Sequence, residues 1–259
     1  MNVYVSLNEI KSLLGMNLSD TERDNVLMLL LNRTSRRADK YCNRYFYCEL
    51  ATKTIWIAES SSCISIDDLI LITTLKEITT SGVESTIAST SYDLQPLSGY
   101  PKTSIRLKTG NFTQGNKLEI TGKFGHSDTK DGSGDTVQND PLTSSSTLLS
   151  VTNGKNFSIG QTLHLESEQV YVIAIGANVL TIKRAINGTT GASHIKTTSI
   201  YIQLYPEGVS EGVSMLAILQ YRGVEAKSEG TDTESAIPGR ALPPEVKAAW
   251  NNYVRYEIR

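Results

Sequence analysis

Three side chains that could bind a metal ion alternate along one short segment of the sequence. His164, Glu166 and Glu168 are spaced two residues apart, so on a β-strand they would share one face of the sheet. Imidazole nitrogens and carboxylate oxygens are common ligands of divalent metals. The same alternation also arises by chance on strands whose polar face lies in water, and this is the interpretation that we favour. We predict no bound metal.

The cysteines are a second place to look for metal chemistry. Cys42, Cys48 and Cys63 are the three cysteines of the chain, and they form no CxxC pair. A zinc site at Cys42 and Cys48 would need further ligands, and the three histidines are distant in sequence. We interpret the cysteines as free, buried thiols of a protein kept in a reducing compartment.

The sequence contains no motif of a familiar catalytic centre. The neighbouring carboxylates Asp67 and Asp68 would point to opposite faces of a strand, so we interpret them as turn residues. Asn187-Gly188 is also typical of a tight turn. GxSxG, HExxH, P-loop and dinucleotide-binding patterns do not occur. The sequence therefore predicts a protein that is not an enzyme, with no catalytic residues and no cofactor.

Composition limits the size of the fold and its partners. The 259 residues correspond to one large domain or two small ones. A formal net charge of −2 provides no global field that would attract nucleic acid. The first residues lack the pattern of a signal peptide, and no apolar run approaches the ~20 residues that span a bilayer. We expect a protein made in a cytoplasm, without a membrane partner.

Two helices are predicted at the start of the chain. A serine followed three residues later by a glutamate, the spacing of a capping box, occurs at Ser6 and again at Ser19. These patterns predict helices over 6–15 and 20–43. One face of the second helix is apolar: Leu27, Leu30, Leu31, Thr34, Ala38 and Tyr41.

A row of basic residues lies roughly a third of a turn from that apolar face: Arg33, Arg36, Arg37, Lys40 and Arg44. The simplest interpretation is a solvated face, with Glu22, Asp24 and Asp39 as local counter-charges. A contact between subunits is the main alternative, because arginine is favoured at interfaces. Contact with DNA is a third alternative. It is less favoured, because DNA in a channel has to slide, and basic residues lining the channel would bind its phosphates and oppose this movement.

After residue 47 the apolar period changes from that of a helix to that of a strand. A first group of strands is predicted over 52–57, 63–66, 75–79, 92–94, 105–107 and 117–122. The polar, glycine-rich stretch 127–140 is predicted to be a loop or linker. A second group follows over 148–151, 162–165, 169–175, 179–182 and 200–202. Its close spacing and tight turns predict a small barrel or sandwich.

The chain returns to helix near its end. A helix should begin at Pro206 and end near Gly223, and 225–240 have the composition of a flexible tether. A last helix should begin at Pro243. Either it packs on the core of its own chain or it docks in the groove of a partner. Its apolar residues follow helical spacing: Val246, Ala249, Trp250 and Tyr253.

Together these elements predict an α+β fold with a helical bundle from both chain ends, a small antiparallel β core and an inserted all-β module. The predicted domains are a core over 1–141, the inserted module over 142–203, and a C-terminal part over 204–259 that completes the core. We expect that the module can be removed without loss of the helical fold.

Several stretches share their pattern and order with one protein family. Residues 7–15 (LNEIKSLLG) open the chain, and 35–42 (SRRADKYC) end the long helix with a Ser-Arg-x-x-Asp-x-Tyr-Cys pattern. The tail 43–47 (NRYFY) leads into the predicted sheet, and 118–125 (LEITGKFG) contains a predicted strand that ends in a Gly-x-Phe-Gly pattern. In this order they resemble the head–tail connector, or adaptor, proteins of tailed bacteriophages. Weaker matches are 92–94, the helix at Pro206, and 242–253.

The β module has a resemblance of its own. Its signature is 157–161 (FSIGQ), 168–172 (EQVYV) and 184–190 (RAINGTT). These stretches resemble a module inserted in some connectors and in other virion proteins.

The resemblance implies a structural protein at the head–tail neck of a virion. The implied partners are further copies in a ring, expected to be a dodecamer, the portal protein, a tail-side neck or terminator protein, and genomic DNA that passes through without sequence-specific binding. It implies that the basic row lies at a subunit interface or the channel. In related adaptors the C-terminal segment reaches the portal, which favours portal docking by Val246, Ala249, Trp250 and Tyr253.

Two other functions remain open from the sequence. Residues 142–203 could form a carbohydrate- or host-binding module, which a cluster of exposed aromatic residues would favour; Tyr171 and Tyr201 stand out there. A stopper or tail-completion protein is the alternative within the structural class.

Overall fold

The computed structural model describes residues 2–228 and 241–256. In that part of the chain it contains two antiparallel sheets and four helices: α1 (Leu7–Leu13), α2 (Asp24–Cys42), α3 (Glu207–Ser228) and α4 (Pro244–Asn251). The mixed α+β class is therefore confirmed. Two compact units share the chain: unit 2 is Arg44–Asp128, and unit 1 holds the described residues on either side of it. Among the described helices, none has both the length and the apolar character needed to cross a membrane.

The first helix begins as predicted and the second does not. At α1 the Ser6 hydroxyl accepts a hydrogen bond from the Glu9 N–H at 3.4 Å, as a capping serine should. At the capping box predicted from Ser19, the Asp20 carboxylate accepts a hydrogen bond from the Glu22 N–H at 3.0 Å instead. A turn forms there, and α2 begins only at Asp24. The capping box predicted at Ser19 is wrong because the aspartate next to it forms an Asx-type turn.

Unit 2 contains the first sheet. Its strand order is β1-β6-β2-β5-β4, and β3 pairs with β2. The strands are β1 (Glu49–Trp56), β2 (Cys63–Ile78), β3 (Glu84–Thr86), β4 (Tyr92–Gln95), β5 (Lys102–Leu107) and β6 (Lys117–Phe124). Large apolar side chains form its core, among them Ile66, Leu75, Phe112, Leu118 and Phe124.

The turn predicted at Asp67 and Asp68 is wrong, because both residues lie inside the long strand β2. The register between β2 and β5 shifts between Ser65 and Leu69, so an irregularity, not a chain reversal, accommodates the two carboxylates. The Asp67 carboxylate is exposed and pairs with Lys53 at 3.0 Å. Asp68 is buried. The two stretches predicted as separate strands, 63–66 and 75–79, are therefore one.

Unit 1 contains the second sheet, with strand order β7-β12-β9-β10-β11-β8. The strands are β7 (Lys130–Thr136), β8 (Leu148–Ser150), β9 (Thr162–Leu165), β10 (Glu168–Gly176), β11 (Val179–Lys183) and β12 (Ser199–Gln203). All five strands predicted for the module are present. The stretch 127–140, predicted as a loop, contains β7. Its glycines do not prevent pairing with β12, and the Ser133 hydroxyl adds a hydrogen bond to the Ile200 carbonyl at 2.7 Å.

The predicted barrel is not confirmed. Over the described residues the second sheet is open, because no ladder of hydrogen bonds joins β7 to β8. Just beyond β7, the Gln138 N–H donates to the Ser150 carbonyl at 2.9 Å. Side chains add further links between the two edges, because the Asp135 carboxylate of β7 accepts the N–H groups of Thr152 and Asn153 at 2.9 and 2.8 Å, just beyond β8. The sheet covers a core of aliphatic side chains and Phe157, including Leu149, Leu163, Val170, Val172 and Leu180.

The second sheet is joined to the helices inside unit 1. The Leu7 N–H donates to the Ile159 carbonyl at 3.0 Å, and the Asn8 N–H donates to the Ser158 hydroxyl at 2.9 Å. The buried Asn2 side chain donates to Asn187 at 2.8 Å. The boundaries at 141/142 and 203/204 stay a prediction, but the compact units divide the chain elsewhere.

The helix α3 is longer than predicted. It continues past Gly223 to Ser228, so the first residues of the predicted tether, 225–228, are helical. Gly223 is buried, and a buried contact can offset the cost of about 1 kcal/mol that glycine carries in a helix. The remainder of that tether, 229–240, lies outside the described residues.

Candidate assembly surfaces

The SRRADKYC pattern of α2 joins both ends of the described chain to the helix. Near the N-terminus, the Tyr4 N–H donates to the Ser35 hydroxyl at 3.1 Å and the Tyr4 hydroxyl donates to the Asp39 carboxylate. Near the C-terminus, the Cys42 thiol donates to the Trp250 carbonyl at 3.7 Å. The Tyr41 ring packs against Trp250 in a tilted arrangement, with the centroids 5.8 Å apart. These residue types therefore serve the architecture of unit 1.

The predicted basic row is divided by its contacts. Arg33 and Lys40 are exposed, and Arg37 is half-buried. Arg36 makes contacts within its own chain. Its Nε pairs with the Asp39 carboxylate at 2.8 Å, and its Nη2 donates to the Asn2 carbonyl at 2.8 Å. The local counter-charge expected at Asp39 is therefore confirmed for one arginine. Whether the exposed members face a neighbour or a channel stays a prediction.

Arg44 does not belong to this row. Asn43 adopts a left-handed conformation and ends α2, so Arg44 begins unit 2. Its Nη1 donates to Nδ1 of His126 at 2.8 Å, and its Nε pairs with the Asp68 carboxylate at 3.3 Å. Burial and the adjacent guanidinium lower the pKa of His126 to about 4, so the ring is neutral and accepts this hydrogen bond.

The apolar face of α4 lies in the core of unit 1. Val246 and Trp250 are buried, whereas Ala249 and Tyr253 are half-buried. The Trp250 indole N–H donates to the Val209 carbonyl of α3 at 3.3 Å, and a Cβ at Gly212 would overlap the indole ring. Of the two arrangements that the sequence left open, packing on the core of the same chain is the one observed. Portal docking through these four residues stays a prediction, and it requires that α4 leave α3.

Truncation of Trp250 should destabilise unit 1. In the Trp250→Ala variant we expect a loss of about 3–5 kcal/mol in the free energy of unfolding, because removal of a buried tryptophan leaves a large cavity. Chemical denaturation followed by circular dichroism measures this loss. Lys247→Ala on the exposed side of the same helix is the matched control and should change stability by less than about 0.5 kcal/mol. Equal stability of the two variants would show that α4 is not part of the core.

The solvated strand face predicted for His164, Glu166 and Glu168 is wrong. His164 and Glu168 are buried, and only Glu166, at positive φ in the turn between β9 and β10, is exposed. His164 shares a hydrogen bond with the Gln203 side chain at 2.7 Å. The three side chains do not converge, and no cluster that could hold a metal ion occurs in the described residues.

Glu168 is instead the centre of a buried polar network. Its two carboxylate oxygens accept from Arg184 Nε and Nη2 at 2.7 and 2.6 Å. They also accept the backbone N–H groups of Ala185 and Ala192 at 3.1 and 3.0 Å, and lie 2.9 Å from His194 Nε2. Burial alone would raise the pKa of Glu168, but the hydrogen bonds outweigh it and lower the pKa to about 2. The network holds the loop between β11 and β12 on β10.

The cysteines are free, and two of the three are buried as predicted. Cys63, at the start of β2, is exposed, which corrects the expectation that all three thiols would be buried. Burial, with the nearby Asp128 carboxylate, raises the pKa of Cys48 to about 12, so this thiol stays protonated at neutral pH.

An exposed row on α3 was not identified from the sequence. Glu207, Glu211, Met215 and Leu219 are spaced four residues apart, and all four are exposed. Residues at this spacing share one side of a helix. The four-residue spacing of these exposed residues can be read from the sequence. The apolar pattern of the neighbouring buried residues, such as Val213 and Leu216, is stronger and dominates the helical period. We call these four residues the α3 outer row.

The second sheet does not present the aromatic cluster that a carbohydrate-binding module would favour. Tyr171 is buried, and Tyr201 is 39% exposed. The Lys130 ammonium lies 5.3 Å from the centroid of the Tyr201 ring. The one described tyrosine that is open to solvent on these strands is thus already covered in part by a side chain of the same sheet.

Comparisons with known proteins give structural likenesses only. No protein-family model and no curated protein matches the sequence. Two solved structures are similar over 99% of this chain and 92% of theirs, each at 12% identity. One is the neck of an empty gene transfer agent particle computed with C6 symmetry (TM-score 0.47), and the other is the virion of a native gene transfer agent particle (TM-score 0.48). Both scores lie below 0.5.

Proposed function

We propose that the protein is a structural component of a virion neck and forms an adaptor ring between the portal and the tail-side neck proteins. The observation that carries the proposal is the position of the adaptor-like pattern of α2. Ser35, Asp39 and Cys42 bond to segments from both ends of the described chain. The adaptor-like pattern therefore holds the N-terminal and C-terminal segments of the helical part together.

The ring would act through its geometry. It extends the DNA channel below the portal and presents a docking surface once packaging ends. A closed ring needs two different, complementary surfaces on each subunit. The exposed part of the basic row, Arg33 and Lys40, is proposed as part of such a surface. Most of the polar residues that could have suggested chemistry, such as Glu168 and His164, are buried in contacts within unit 1.

The oligomeric state is the direct test. Native mass spectrometry of the purified chain, alone and with rings of the portal protein of the same particle, should give a single closed oligomer, expected to have twelve subunits. Electron microscopy of the mixture should show this ring stacked coaxially on the portal. A chain that stays monomeric at every concentration and does not bind the portal would contradict the proposal.

A further inference from the structure

The α3 outer row is acidic at one end and apolar at the other. Glu207 and Glu211 lie in the first turns of α3, and Met215 and Leu219 follow at the same spacing. Met215 is 37% exposed and Leu219 is 36% exposed. No ion pair in the described part of the chain uses either glutamate. The row is thus an exposed surface whose two glutamates form no ion pair among the described residues, acidic toward the N-terminus of α3 and apolar toward its C-terminus.

A second exposed row with the opposite charge runs along α2. Leu29, which is 48% exposed, lies one turn before Arg33, and Lys40 continues the same side of the helix. Within the residues that the structure describes, Arg33 and Lys40 form no ion pair. We call Leu29, Arg33 and Lys40 the α2 outer row. It is apolar toward the N-terminus of its helix and basic toward the C-terminus.

The two rows match when the helices are antiparallel. Four residues of helix span about 6 Å, so Leu29 and Arg33 have the same separation as Met215 and Glu211. With Leu29 opposite Met215, Arg33 lies opposite Glu211, and the long Lys40 side chain lies within reach of Glu207. Opposite charges then face each other beside an apolar contact. A parallel arrangement that keeps Arg33 opposite Glu211 would place Leu29 opposite Glu207 and Lys40 beside Leu219, so it leaves both of these residues without a matching partner.

We propose that the α2 outer row of one subunit packs antiparallel on the α3 outer row of the next copy of this chain. Within one chain α2 and α3 already pack against each other, and the two outer rows are what this packing leaves exposed. A second copy supplies the complement to both rows at once. The contact is heterologous, as ring closure requires. The inference rests on the proposed ring and specifies the surfaces that close it.

Charge reversal tests the pairing. Arg33→Glu and Glu211→Arg should each raise the protein concentration needed for half-maximal assembly by about tenfold or more, because like charges then face each other. Sedimentation velocity over a concentration series measures this shift. Both side chains are exposed, so circular dichroism of each variant should match the parent. Lys196→Glu is the matched control: it makes the same charge change on an exposed loop of unit 1 and should leave assembly unchanged.

Mixing the two single variants gives the decisive result. In an alternating ring, the new carboxylate at position 33 of one variant faces the new guanidinium at position 211 of the other, and the remaining contact is that of the parent chain. An equimolar mixture should therefore assemble like the parent, although neither variant does so alone. A parent ring that both reversals leave intact would overturn this interface while the proposed ring stands. Failure of the mixture to assemble would also overturn it. A parent chain that never assembles would contradict the ring and the interface together.

Discussion

A chain that lacks residues 142–203 and is rejoined by a short glycine linker should fail to form a stable helical part. The contacts within unit 1 favour this outcome over the one expected from the sequence. The N–H groups in the first turn of a helix have no partner within that helix, and at α1 two of them donate to the deleted segment, at Ser158 and Ile159. The deletion would also expose Asn2, which is buried against Thr162 and Asn187.

Removal of unit 2 is the matched comparison. In a chain rejoined from Asn43 to Thr129 we expect the helical signal and a cooperative transition to persist. The two ends of unit 2 lie side by side, because the His126 N–H donates to the Tyr45 carbonyl at 3.0 Å, so a few glycines can bridge the gap. Unit 1 retains its helices and the complete second sheet.

Circular dichroism, size-exclusion chromatography and thermal unfolding of both chains measure the difference. The chain without 142–203 should lose helical ellipticity and aggregate, whereas the chain without unit 2 should stay monodisperse under conditions that prevent ring assembly. The reverse result, with a cooperative transition only in the chain without 142–203, would restore the predicted boundaries of the inserted module.

Elements with a strong period could be predicted from the sequence. The apolar side of α2, from Leu27 to Ala38, is buried as the helical spacing indicated. Five of the six strands of the second sheet, β8 to β12, also follow their predicted segments, because apolar residues alternate there between turn signals. Local patterns of this kind depend on few residues and little tertiary context.

Elements decided by long-range contacts could not be predicted. Asp67 and Asp68 have the composition of a turn, but pairing with Lys53 and Arg44 keeps them within β2. The segment 130–136 is too polar for a strand by propensity, and its pairing with β12, more than sixty residues away, forms it. Tertiary context overrides local preference in strands more than in helices.

The candidate surfaces show the same limit. Trp250 has the spacing of a docking helix. Only tertiary contacts, such as its hydrogen bond to Val209 and its close approach to Gly212 on α3, show that its ring has a site in its own unit. From the sequence, Glu168 is expected to lie with His164 and Glu166 on one exposed face of a strand. Its partners Arg184 and His194 lie on the far side of a hairpin and a loop, and no period in the sequence connects the three.

Replacement of Glu168 by glutamine should cost about 5 kcal/mol of the free energy of unfolding of unit 1. Loss of one partner of a buried ion pair costs about 3–5 kcal/mol, because the other charge stays buried without compensation. One Glu168 oxygen now accepts hydrogen bonds from Ala192, His194 and Arg184. An NH2 group of glutamine at that position would instead face these donors with a donor of its own. A loss of this size approaches the whole stability of many domains.

Glu166→Gln is the control for this variant. The Glu166 carboxylate contacts the same His194 ring from the other side, at 2.8 Å, but its side chain is 62% exposed. Because the Glu166 side of this pair lies in solvent, although His194 is buried, the pair should contribute less than about 1 kcal/mol. Addition of Arg184→Gln to Glu168→Gln removes the uncompensated charge and should recover part of the loss, which a double-mutant cycle quantifies.

The effect of Glu168→Gln should depend on pH with a defined sign. The pKa of Glu168 is about 2 in the folded protein and 4.5 in its ordinary state. A lowered carboxylate pKa stabilises the fold fully above the ordinary value, and this contribution is lost as the pH falls toward the folded value. The difference in unfolding free energy between the parent and Glu168→Gln should therefore be greatest at neutral pH and should shrink between pH 4.5 and about 2. Urea denaturation at neutral pH and at about pH 3 measures both values. A difference that is small at neutral pH, or that grows on acidification, would show that the carboxylate does not hold the β11–β12 loop on β10.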